Sequence, residues 1–539
     1  MLKLYDSATR AVREFKPLTP GKVGLYLCGP TVQGAPHLGH LRAALDFDVL
    51  VRWLRRSGLE VTYVRNVTDI DDKILKKSRE LGVPWWALAA HFEREFDWAY
   101  RALNTVPPDV TPHATGHIPQ QIALVQRLLD RGHAYADTAG NVYFAVKSLP
   151  DYGSLTNQRV ADLATTEDAA QIDAATESGK RDPRDFALWK AAKPEEPADA
   201  AWDAPWGRGR PGWHLECSAM SQAYLGDTFD IHGGGLDLRF PHHENEQAQS
   251  HGAGWGFARL WMHNAWLTLK GEKMSKSVGN VVGVRRLLGK WPAPVVRLAV
   301  IATHYRTNLE FSEDTLVQAA GLWDKFAGFV SAVQSAAGCA GMSNSRGAIP
   351  DNAVNSSKPL MNPGEPDPVP PASAPLTDKY GDENPDLARQ SELADVTLPE
   401  DFVAALDDDL NVPGALPALH RAVKTGHSAL ASGDTAAAAA QALQLRAMLD
   451  VLGLDPADSA WGASDSGASA GAGSKNRKDP SVDCLKSLVA ALLEQRGAAK
   501  QSRDWARADA LRDLLEASGL QITDTPTGAT YRVKSIADA

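Results

Sequence analysis

Apolar residues in the first part of the chain follow two different spacings. Short apolar runs at residues 23–27 and 61–67 are typical of buried strands. Between them, apolar residues recur at helical spacing from Leu41 to Leu54. Gly and Pro residues at 29–36 separate the first run from this helix. The pattern therefore predicts a strand, a tight turn, a helix and a second strand, which together form a βαβ unit.

The same pattern divides the whole chain into segments. Strands alternate with helices in 1–110 and again in 201–285, which is typical of an α/β fold with a parallel sheet. Segment 111–200 opens with a helical pattern and continues with NVYFAVKSL, whose alternation predicts an exposed strand. Segments 286–334 and 396–455 have helical spacing, so the latter is predicted to form a helical bundle.

Two further segments are predicted to be disordered linkers. Residues 335–395 and 456–480 are rich in small and polar residues and hold few large apolar ones. Such segments bury too little apolar surface to offset the loss of chain entropy. The last segment, 481–539, predicts helices followed by a short terminal hairpin.

Composition restricts the class of protein. A chain of 539 residues is too long for one core, so several domains are expected. No apolar run approaches the ~20 residues of a spanning helix and the N-terminus lacks an apolar signal core, so we expect a cytoplasmic protein with no membrane partner. Four Cys argue against a disulfide framework.

Charge gives a mixed signal about nucleic acid. The net charge of −10 disfavours RNA as a partner at first sight. Residues 475–534, however, hold 11 Lys and Arg against 8 Asp and Glu, so this end is locally basic. Local basicity is compatible with RNA binding and does not establish it.

The tetrad His37-Leu38-Gly39-His40 lies where the first predicted helix begins. A helix N-terminus that follows a strand and a tight turn binds phosphate, because its unpaired backbone N–H groups and the positive end of its dipole point at the ligand. The sequence therefore predicts a phosphate site at His37 and His40.

Six motifs in order make the chain similar to one family. They are CGPTV at 28–32, HLGH at 37–40, NVTDIDDKI at 66–74, GWHLECSAM at 212–220, IHGGGLDLRFPHHENE at 231–246 and KMSKS at 273–277. HLGH with KMSKS resembles the class I aminoacyl-tRNA synthetases, and the other motifs resemble the cysteinyl-tRNA synthetases among them. The resemblance implies a split doubly wound, Rossmann-like parallel-sheet catalytic domain with a connective insertion at 111–200. A stem-contact region at 286–334, an α-helical bundle and a small anticodon-binding domain would follow.

His242 and Glu246 are four residues apart, which places both on one face of a helix. Such pairs are usually solvated or salt-bridged, so spacing alone does not identify a metal site. The resemblance implies that Cys28, Cys217, His242 and Glu246 bind one Zn²⁺, a chemically sensible donor set. A purely structural zinc is the alternative to a substrate-binding one.

The resemblance also assigns residues to the substrate pocket. It implies that Gly29, Thr68, Trp213 and His232 surround the amino-acid substrate, L-cysteine. Trp213 could instead be a core residue, and Thr68 could cap the helix that follows it.

For ATP, the resemblance implies that His37, His40, Lys273 and Lys276 act on the phosphates. Gly233 and Gly234 are expected beside the adenosine, although a Gly triplet could form only a turn. Mg²⁺ is expected with ATP, without an assigned ligand. Gln33 stands where relatives often have an aromatic residue, which leaves the shape of this turn open.

Four residues near the C-terminus are candidates for tRNA recognition. Unpaired RNA bases stack on aromatic and Arg side chains. The resemblance implies that this segment reads the anticodon through Trp505, Arg507, Asp509 and Arg512. An ordinary amphipathic helix, with Trp505 half-buried beside leucines, is the alternative.

The resemblance implies an ATP-dependent cysteine–tRNA ligase that acts as a monomer through a cysteinyl-adenylate. One alternative is the cysteine ligase of mycothiol synthesis, which shares the catalytic half but lacks the anticodon segment. Another is a non-catalytic tRNA- or partner-binding protein with this fold, against which the intact motifs argue.

Overall fold

The structure, a computed structural model, comprises two units, Met1–Ala468 and Ser469–Ala539, which are described separately. The residues it describes are 1–163, 165, 179–269, 271–273, 282–341, 392–462, 496, 499–500, 504–505, 507–509, 512, 520–525 and 528–533. Among these residues, none of the helices has the length and apolar character needed to cross a membrane.

A four-stranded parallel sheet lies at the centre of the first unit. Its strands are β3 (Lys22–Leu27), β4 (Glu60–Arg65), β9 (Thr228–Gly235) and β10 (Phe257–Asn264), in the order β10-β9-β3-β4. Two strands precede the insertion in sequence and two follow it. The predicted split Rossmann-like fold is therefore confirmed.

Helices and a hairpin surround this sheet. They are β1 (Lys3–Asp6), β2 (Ala11–Glu14), α1 (Leu38–Arg56), α2 (Asp72–Leu81) and α3 (Trp85–Ala102). Helix α1 connects β3 to β4, and most of its apolar residues are buried. Helix α2 is capped by Asp71, whose carboxylate accepts the backbone N–H of Lys73 at 2.7 Å. The alternative interpretation of Thr68 as the cap is therefore wrong.

The insertion forms its own antiparallel sheet. Its elements are α4 (Ile118–Asp130), β5 (Ala134–Ala136), β6 (Val142–Phe144), β7 (Phe186–Ala191) and β8 (Gly209–Pro211), with the strands in sequence order across the sheet. The expectation of an exposed strand at NVYFAVKSL was wrong. Strand β6 is buried because it lies between β5 and β7 and packs in one cluster with Leu124 and Leu128. The sheet also continues past residue 200, the predicted boundary, to Pro211.

Buried charges connect this sheet to helix α2. Lys190 Nζ on β7 lies 2.7 Å from the Asp72 carboxylate, and Arg210 on β8 binds Asp72 as well. Arg210 also pairs with Glu196 at 2.8 Å. Lys190 and Arg210 are both almost fully buried, so each depends on these carboxylates for compensation of its charge.

Four helices and a small sheet complete the catalytic region. Helices α5 (Trp213–Leu225) and α6 (Glu244–Gly252) flank β9, and β11 (Leu267–Leu269), β12 (Glu272–Lys273) and β13 (Leu309–Glu310) form a sheet in the order β12-β11-β13. Helices α7 (Val284–Leu288) and α8 (Ala293–Ile301) lie between β12 and β13 in the chain.

A helical bundle follows. It contains α9 (Glu313–Gly341), α10 (Glu400–Asp407), α11 (Val412–Ala431) and α12 (Thr435–Val451), with the short α13 (Ser459–Gly462) after it. Helix α9 runs past the predicted boundary at 335, so residues 335–341, which were assigned to a linker, are helical. Residues 342–391 and 463–480 of the two predicted linkers lie outside the described residues.

In the second unit, β14 (Leu520–Thr525) and β15 (Gly528–Val533) pair antiparallel, as predicted for the terminal hairpin. In the segment predicted to form helices before it, the structure describes only residues 496, 499–500, 504–505, 507–509 and 512.

Candidate metal centre and active site

The four predicted metal ligands converge at the carboxyl end of the parallel sheet. Cys28 follows β3, Cys217 lies on α5, and Glu246 lies on α6 one turn after His242. One donor atom from each lies within 4.8 Å of the others. Cys217, His242 and Glu246 are buried, and Cys28 is partly exposed. Three of the donors are therefore shielded from solvent, and a ligand can reach the cluster at Cys28.

The distances between these donors fit one tetrahedral ion. Cys28 Sγ lies 3.7 Å from Cys217 Sγ and 3.5 Å from Glu246 Oε1, which in turn is 3.0 Å from His242 Nε2. Zinc bonds of the usual length at tetrahedral angles require donor separations of roughly 3.3–3.8 Å. The two separations from Cys28 fall in this range, and Glu246 and His242 lie slightly closer because they hydrogen-bond each other. Two thiols, one imidazole and one carboxylate, all within 4.8 Å of one another, form a donor set suited to Zn²⁺.

A second grouping shares two of these donors. Cys28 and Glu246 also lie within the same reach of His232 and His243. His232 Nε2, however, hydrogen-bonds Glu246 Oε2 at 2.8 Å, and His243 Nε2 is 4.0 Å from Glu246 Oε1. This geometry favours His242 as the ligand and His232 as the residue that orients the carboxylate.

Neighbouring rings hold His242 in place. Nδ1 of His242 lies 2.9 Å from Nδ1 of His214, which leaves Nε2 directed towards Glu246. The Trp213 ring stacks on His242 with centroids 4.2 Å apart. A ligand imidazole with its second nitrogen bound to the protein has a fixed orientation and tautomer.

The pKa values in the cluster reflect its buried charges. Burial opposes protonation of His242, but the Glu246 carboxylate and Cys217 outweigh burial and raise the pKa of His242 to about 10. For Cys217, burial alone would raise the pKa, yet hydrogen bonds with Cys28 and His242 lower it to about 6. The cluster therefore stabilises a thiolate even before a metal adds its own charge.

The predicted pocket residues surround this cluster. Gly29 donates its N–H to Asn66 Oδ1 at 2.8 Å, and a β-carbon at Gly29 would collide with the Asn66 backbone carbonyl. Thr68 is buried and donates its hydroxyl to Glu216 at 2.9 Å. Trp213 is partly exposed, which argues against the core alternative. His232 is fully buried and stacks on Trp261.

The HLGH residues begin helix α1, where the sequence predicts a phosphate site. His37 donates its backbone N–H to His40 Nδ1 at 3.3 Å, and the two rings stack with centroids 3.6 Å apart. His40 is partly exposed and His37 nearly buried. Both side chains thus lie beside the first-turn amides of a helix of 19 residues. Gln33, in the preceding turn, donates its N–H to Thr31 O at 2.9 Å.

The Gly triplet is part of a strand, so the turn alternative was wrong. Gly233 and Gly234 lie in β9, at the carboxyl end of the sheet. A β-carbon at Gly233 would lie 2.2 Å from the Phe47 ring of α1. Glycine is therefore required for the close packing of α1 on the sheet, whatever its role towards a ligand.

Comparison with known proteins agrees with this geometry. Residues 14–321 match the family model for the tRNA synthetases class I (C) catalytic domain, and residues 401–455 match the DALR domain. A cysteine–tRNA ligase of Beutenbergia cavernae is 52% identical over 99% of this chain and 99% of the relative. Those of Nocardioides sp. and Streptomyces coelicolor are 47% and 46% identical, over 98% and 99% of this chain and 99% and 76% of the relatives.

The chain belongs to the cysteine–tRNA ligase family.

Solved structures support the fold of this family member. Two structures of Mycobacterium tuberculosis methionyl-tRNA synthetase, bound to methionyl-adenylate, superpose with TM-scores of 0.50 and 0.51. Each covers 80% of this chain, with 89% and 90% of the other chain matched, at 17% identity. At this identity the likeness concerns the class I fold alone.

The KMSKS motif is only partly described in this ligase-family chain. Lys273 lies in β12, where its backbone pairs with Thr268 of β11. Lys276 lies outside the described residues. Its predicted role therefore rests on the motif.

The anticodon candidates are all exposed. Trp505 is 58% exposed, which argues against the half-buried alternative. Arg507, Asp509 and Arg512 are exposed as well, and Arg507 N–H bonds Asp504 at 3.1 Å. Their side chains are thus accessible to a partner.

Two residues of the site were not predicted from the sequence. His214 supports His242, and Glu216 binds Thr68. Both lie in the same motif as Trp213 and Cys217, and His214 precedes Cys217 by three residues on α5. That spacing puts them on one helix face, a signal that could have identified His214.

Proposed function

We propose that this chain ligates L-cysteine to tRNA(Cys) at the expense of ATP, through a cysteinyl-adenylate. The donor set of Cys28, Cys217, His242 and Glu246 carries this proposal, because its spacing fits zinc and it lies at the carboxyl end of a parallel sheet. The family relationship supports the same activity.

Zinc held by these four residues would bind a thiolate strongly and a hydroxyl poorly, which separates cysteine from serine. The protein side chains supply the rest of the selection. His232 and His242 hold Glu246 ionised, since both hydrogen-bond its carboxylate and lower its pKa despite burial. The partial exposure of Cys28 leaves one side of the cluster open to the substrate thiol.

Gly29, Thr68 and Trp213 would form the remaining wall of the cysteine pocket. The absence of a side chain at Gly29 lets the Asn66 backbone pack against the turn that carries Cys28. Trp213, stacked on His242, offers an apolar face beside the donors. Held in this pocket, cysteine would present its carboxylate towards the start of helix α1.

In the first step, a carboxylate oxygen of cysteine attacks the α-phosphorus of ATP, and the bond to the bridging oxygen breaks to release pyrophosphate. His37 and His40 would hydrogen-bond phosphate oxygens as charge develops on them. Lys273 and Lys276 would supply positive charge to the transition state, and Gly233 and Gly234 would lie beside the adenosine. Mg²⁺ is expected with the phosphates. Such groups contribute roughly 10²–10³-fold each to turnover.

In the second step, a ribose hydroxyl at the tRNA end attacks the cysteinyl carbonyl and AMP leaves. Trp505, Arg507, Asp509 and Arg512 would recognise the anticodon, by stacking and by hydrogen bonds to base edges. Their exposure supports this role. We further propose a cytoplasmic monomer.

The test is transfer of labelled cysteine in the presence of ATP and Mg²⁺, with bulk tRNA and glucosaminyl-inositol as parallel acceptors. Label on tRNA alone is the expected result. Label on the amino sugar would instead identify the mycothiol ligase, and absence of label on both would leave a binding protein.

A further inference from the structure

A fully buried arginine follows the HLGH motif on helix α1. Arg42 is 0% exposed and comes two residues after His40. Its guanidinium donates to the backbone carbonyl of Trp266 at 2.6 Å and to that of Thr307. Weaker bonds reach the carbonyls of His304 and Tyr305, at 3.3 and 3.4 Å. One side chain therefore holds two separate stretches of backbone.

These carbonyls lie in the segments that lead into two strands of the small sheet that includes Lys273. Trp266 immediately precedes β11, and Thr307 lies just before β13. Strand β11 pairs with β13 on one side and with β12 on the other, where Thr268 is opposite Lys273. Arg42 thus fixes the position of β11 relative to α1, and β11 in turn fixes the backbone of Lys273.

The chain beyond the KMSKS motif is attached to the same helix. Leu38 donates its N–H to Val282 O at 3.0 Å, and His37 forms a bridge with Gly283. The described residues on both sides of 274–281 are therefore connected to α1. Those before this segment are connected through Arg42, and those after it through the first turn of α1.

Only arginine can make this set of contacts. Its planar guanidinium has five donors in a fixed arrangement, whereas lysine has three donors on one compact ammonium. A buried charge is costly unless it is compensated, and the nearest carboxylate, Asp46, is 3.4 Å from Nε. Four carbonyl dipoles supply much of the remaining compensation.

We propose that Arg42 is a positioning residue for adenylate formation, which fixes the strand leading into KMSKS relative to His37 and His40. This inference rests on the proposed function. Arg42 is fully buried and acts through the strand that it holds, which sets the separation of two groups that must act on the same phosphates. Displacement of such groups by about 1 Å reduces turnover by roughly 10²-fold.

The chain offers a matched control in Arg297 on α8. Arg297 is also fully buried and also donates to backbone carbonyls, those of Leu103 and Leu452 at 2.9 and 2.8 Å. It pairs with Asp48 and contacts none of the strands of the small sheet among its described bonds. Arg297→Lys therefore perturbs a buried guanidinium without the connection to Lys273.

The experiment compares Arg42→Lys with Arg297→Lys in the full-length zinc-loaded enzyme. Thermal unfolding, zinc content and cysteine-dependent ATP–pyrophosphate exchange are measured, with kcat and KM determined separately. We expect both variants to melt earlier and to retain zinc. Only Arg42→Lys should lose turnover, by about 10–100-fold per folded molecule, with the KM for cysteine changed less than about two-fold.

Equal turnover of the two variants per folded molecule would overturn the proposal, because Arg42 would then be merely structural. If Arg42→Lys does not fold, Asn308→Ala decides, since exposed Asn308 accepts the Trp266 N–H at 3.2 Å and holds the same residue. Reduced kcat in Asn308→Ala, with unchanged KM for cysteine, supports the proposal, and wild-type kcat contradicts it. Wild-type protein without any exchange would instead refute the proposed function.

Discussion

The parallel and antiparallel sheets contribute to the same metal cluster in different ways. The parallel sheet places Cys28, the loop of Thr68 and Gly233 at one edge simply because its strands run in the same direction. The antiparallel sheet supplies none of the four donors. Its last strand, β8, instead leads directly into α5, which carries Trp213 and Cys217. The parallel sheet thus positions Cys28 directly. Cys217 is positioned by helix α5, which follows the last strand of the antiparallel sheet.

Buried carboxylates show the same difference. Burial would raise the pKa of Asp72, but Arg210 and Lys190 outweigh burial and lower it. Next to the parallel sheet, burial dominates over Arg42 and raises the pKa of Asp46 to about 7. The connection between the antiparallel sheet and helix α2 therefore depends on a full ionic charge, whereas Asp46 on α1 gains a proton as the solution becomes acidic.

Loss of a metal donor should have the largest effect. Cys217→Ser removes the metal donor that helix α5 supplies, so the zinc content should fall sharply. Cysteine activation at low cysteine should fall by more than about 10²-fold, since even changes in residues that support a ligand cost 10–100-fold. Metal analysis and pyrophosphate exchange measure both effects.

Cys339→Ser is the control, because this Cys belongs to the bundle helix α9 and should leave both quantities unchanged. Unaltered zinc content in Cys217→Ser would contradict the ligand assignment.

Breaking the connection between the antiparallel sheet and helix α2 should have the next largest effect. Asp72→Asn leaves Lys190 and half of the Arg210 interaction without a carboxylate, so the first unit should lose about 3 kcal/mol of stability. Urea unfolding followed by fluorescence measures this loss. Glu80→Gln, which breaks an exposed pair with Lys77 on the same helix, should cost less than about 0.5 kcal/mol. Equal losses in both variants would mean that the buried ion pairs contribute no more to stability than the exposed pair.

A change outside both sheets should separate the two chemical steps. Trp505→Ala is expected to leave adenylate formation intact and to reduce kcat/KM for tRNA charging by roughly 10-fold, because a stacked base contributes about 1–3 kcal/mol. Exchange and charging assays on one preparation make the comparison. An equal loss in both assays would indicate misfolding rather than lost recognition.

The most gradual effect concerns pH, because one carboxyl group changes the stability by at most about 1.4 kcal/mol per pH unit. The pKa of Asp46 is about 7 in the folded protein and about 4 when unfolded, so its contribution to stability falls as pH rises from about 4 to 7. Asp46→Asn should flatten the melting temperature over this window. Asp72 has a lowered pKa and therefore the opposite pH dependence. Its contribution to stability is present above about pH 4 and is lost as the pH falls below that value. A melting curve of Asp46→Asn with the wild-type slope between pH 5 and 7 would contradict this assignment.

Much of the fold was predictable from the sequence because period-2 and period-3.6 patterns are local. The strand, turn and helix around His37 and the terminal hairpin were confirmed. Exposure was harder to predict: β6 alternates like a surface strand yet is buried by both of its neighbours. At the site, the motifs placed Cys28 and His242 correctly in one cluster, but His214 and Arg42 act through contacts far apart in sequence.

Helix α9 has a mechanical consequence for the whole first unit. At 29 residues it is a rod about 44 Å long that starts three residues after β13 and ends within the bundle. Adding a single residue inside this rod would advance everything after it by 1.5 Å and rotate it by about 100°. The length of the helix thus fixes both the distance and the rotation between the residues at its two ends. Natural changes in chain length should therefore occur before Glu313 or after Gly341.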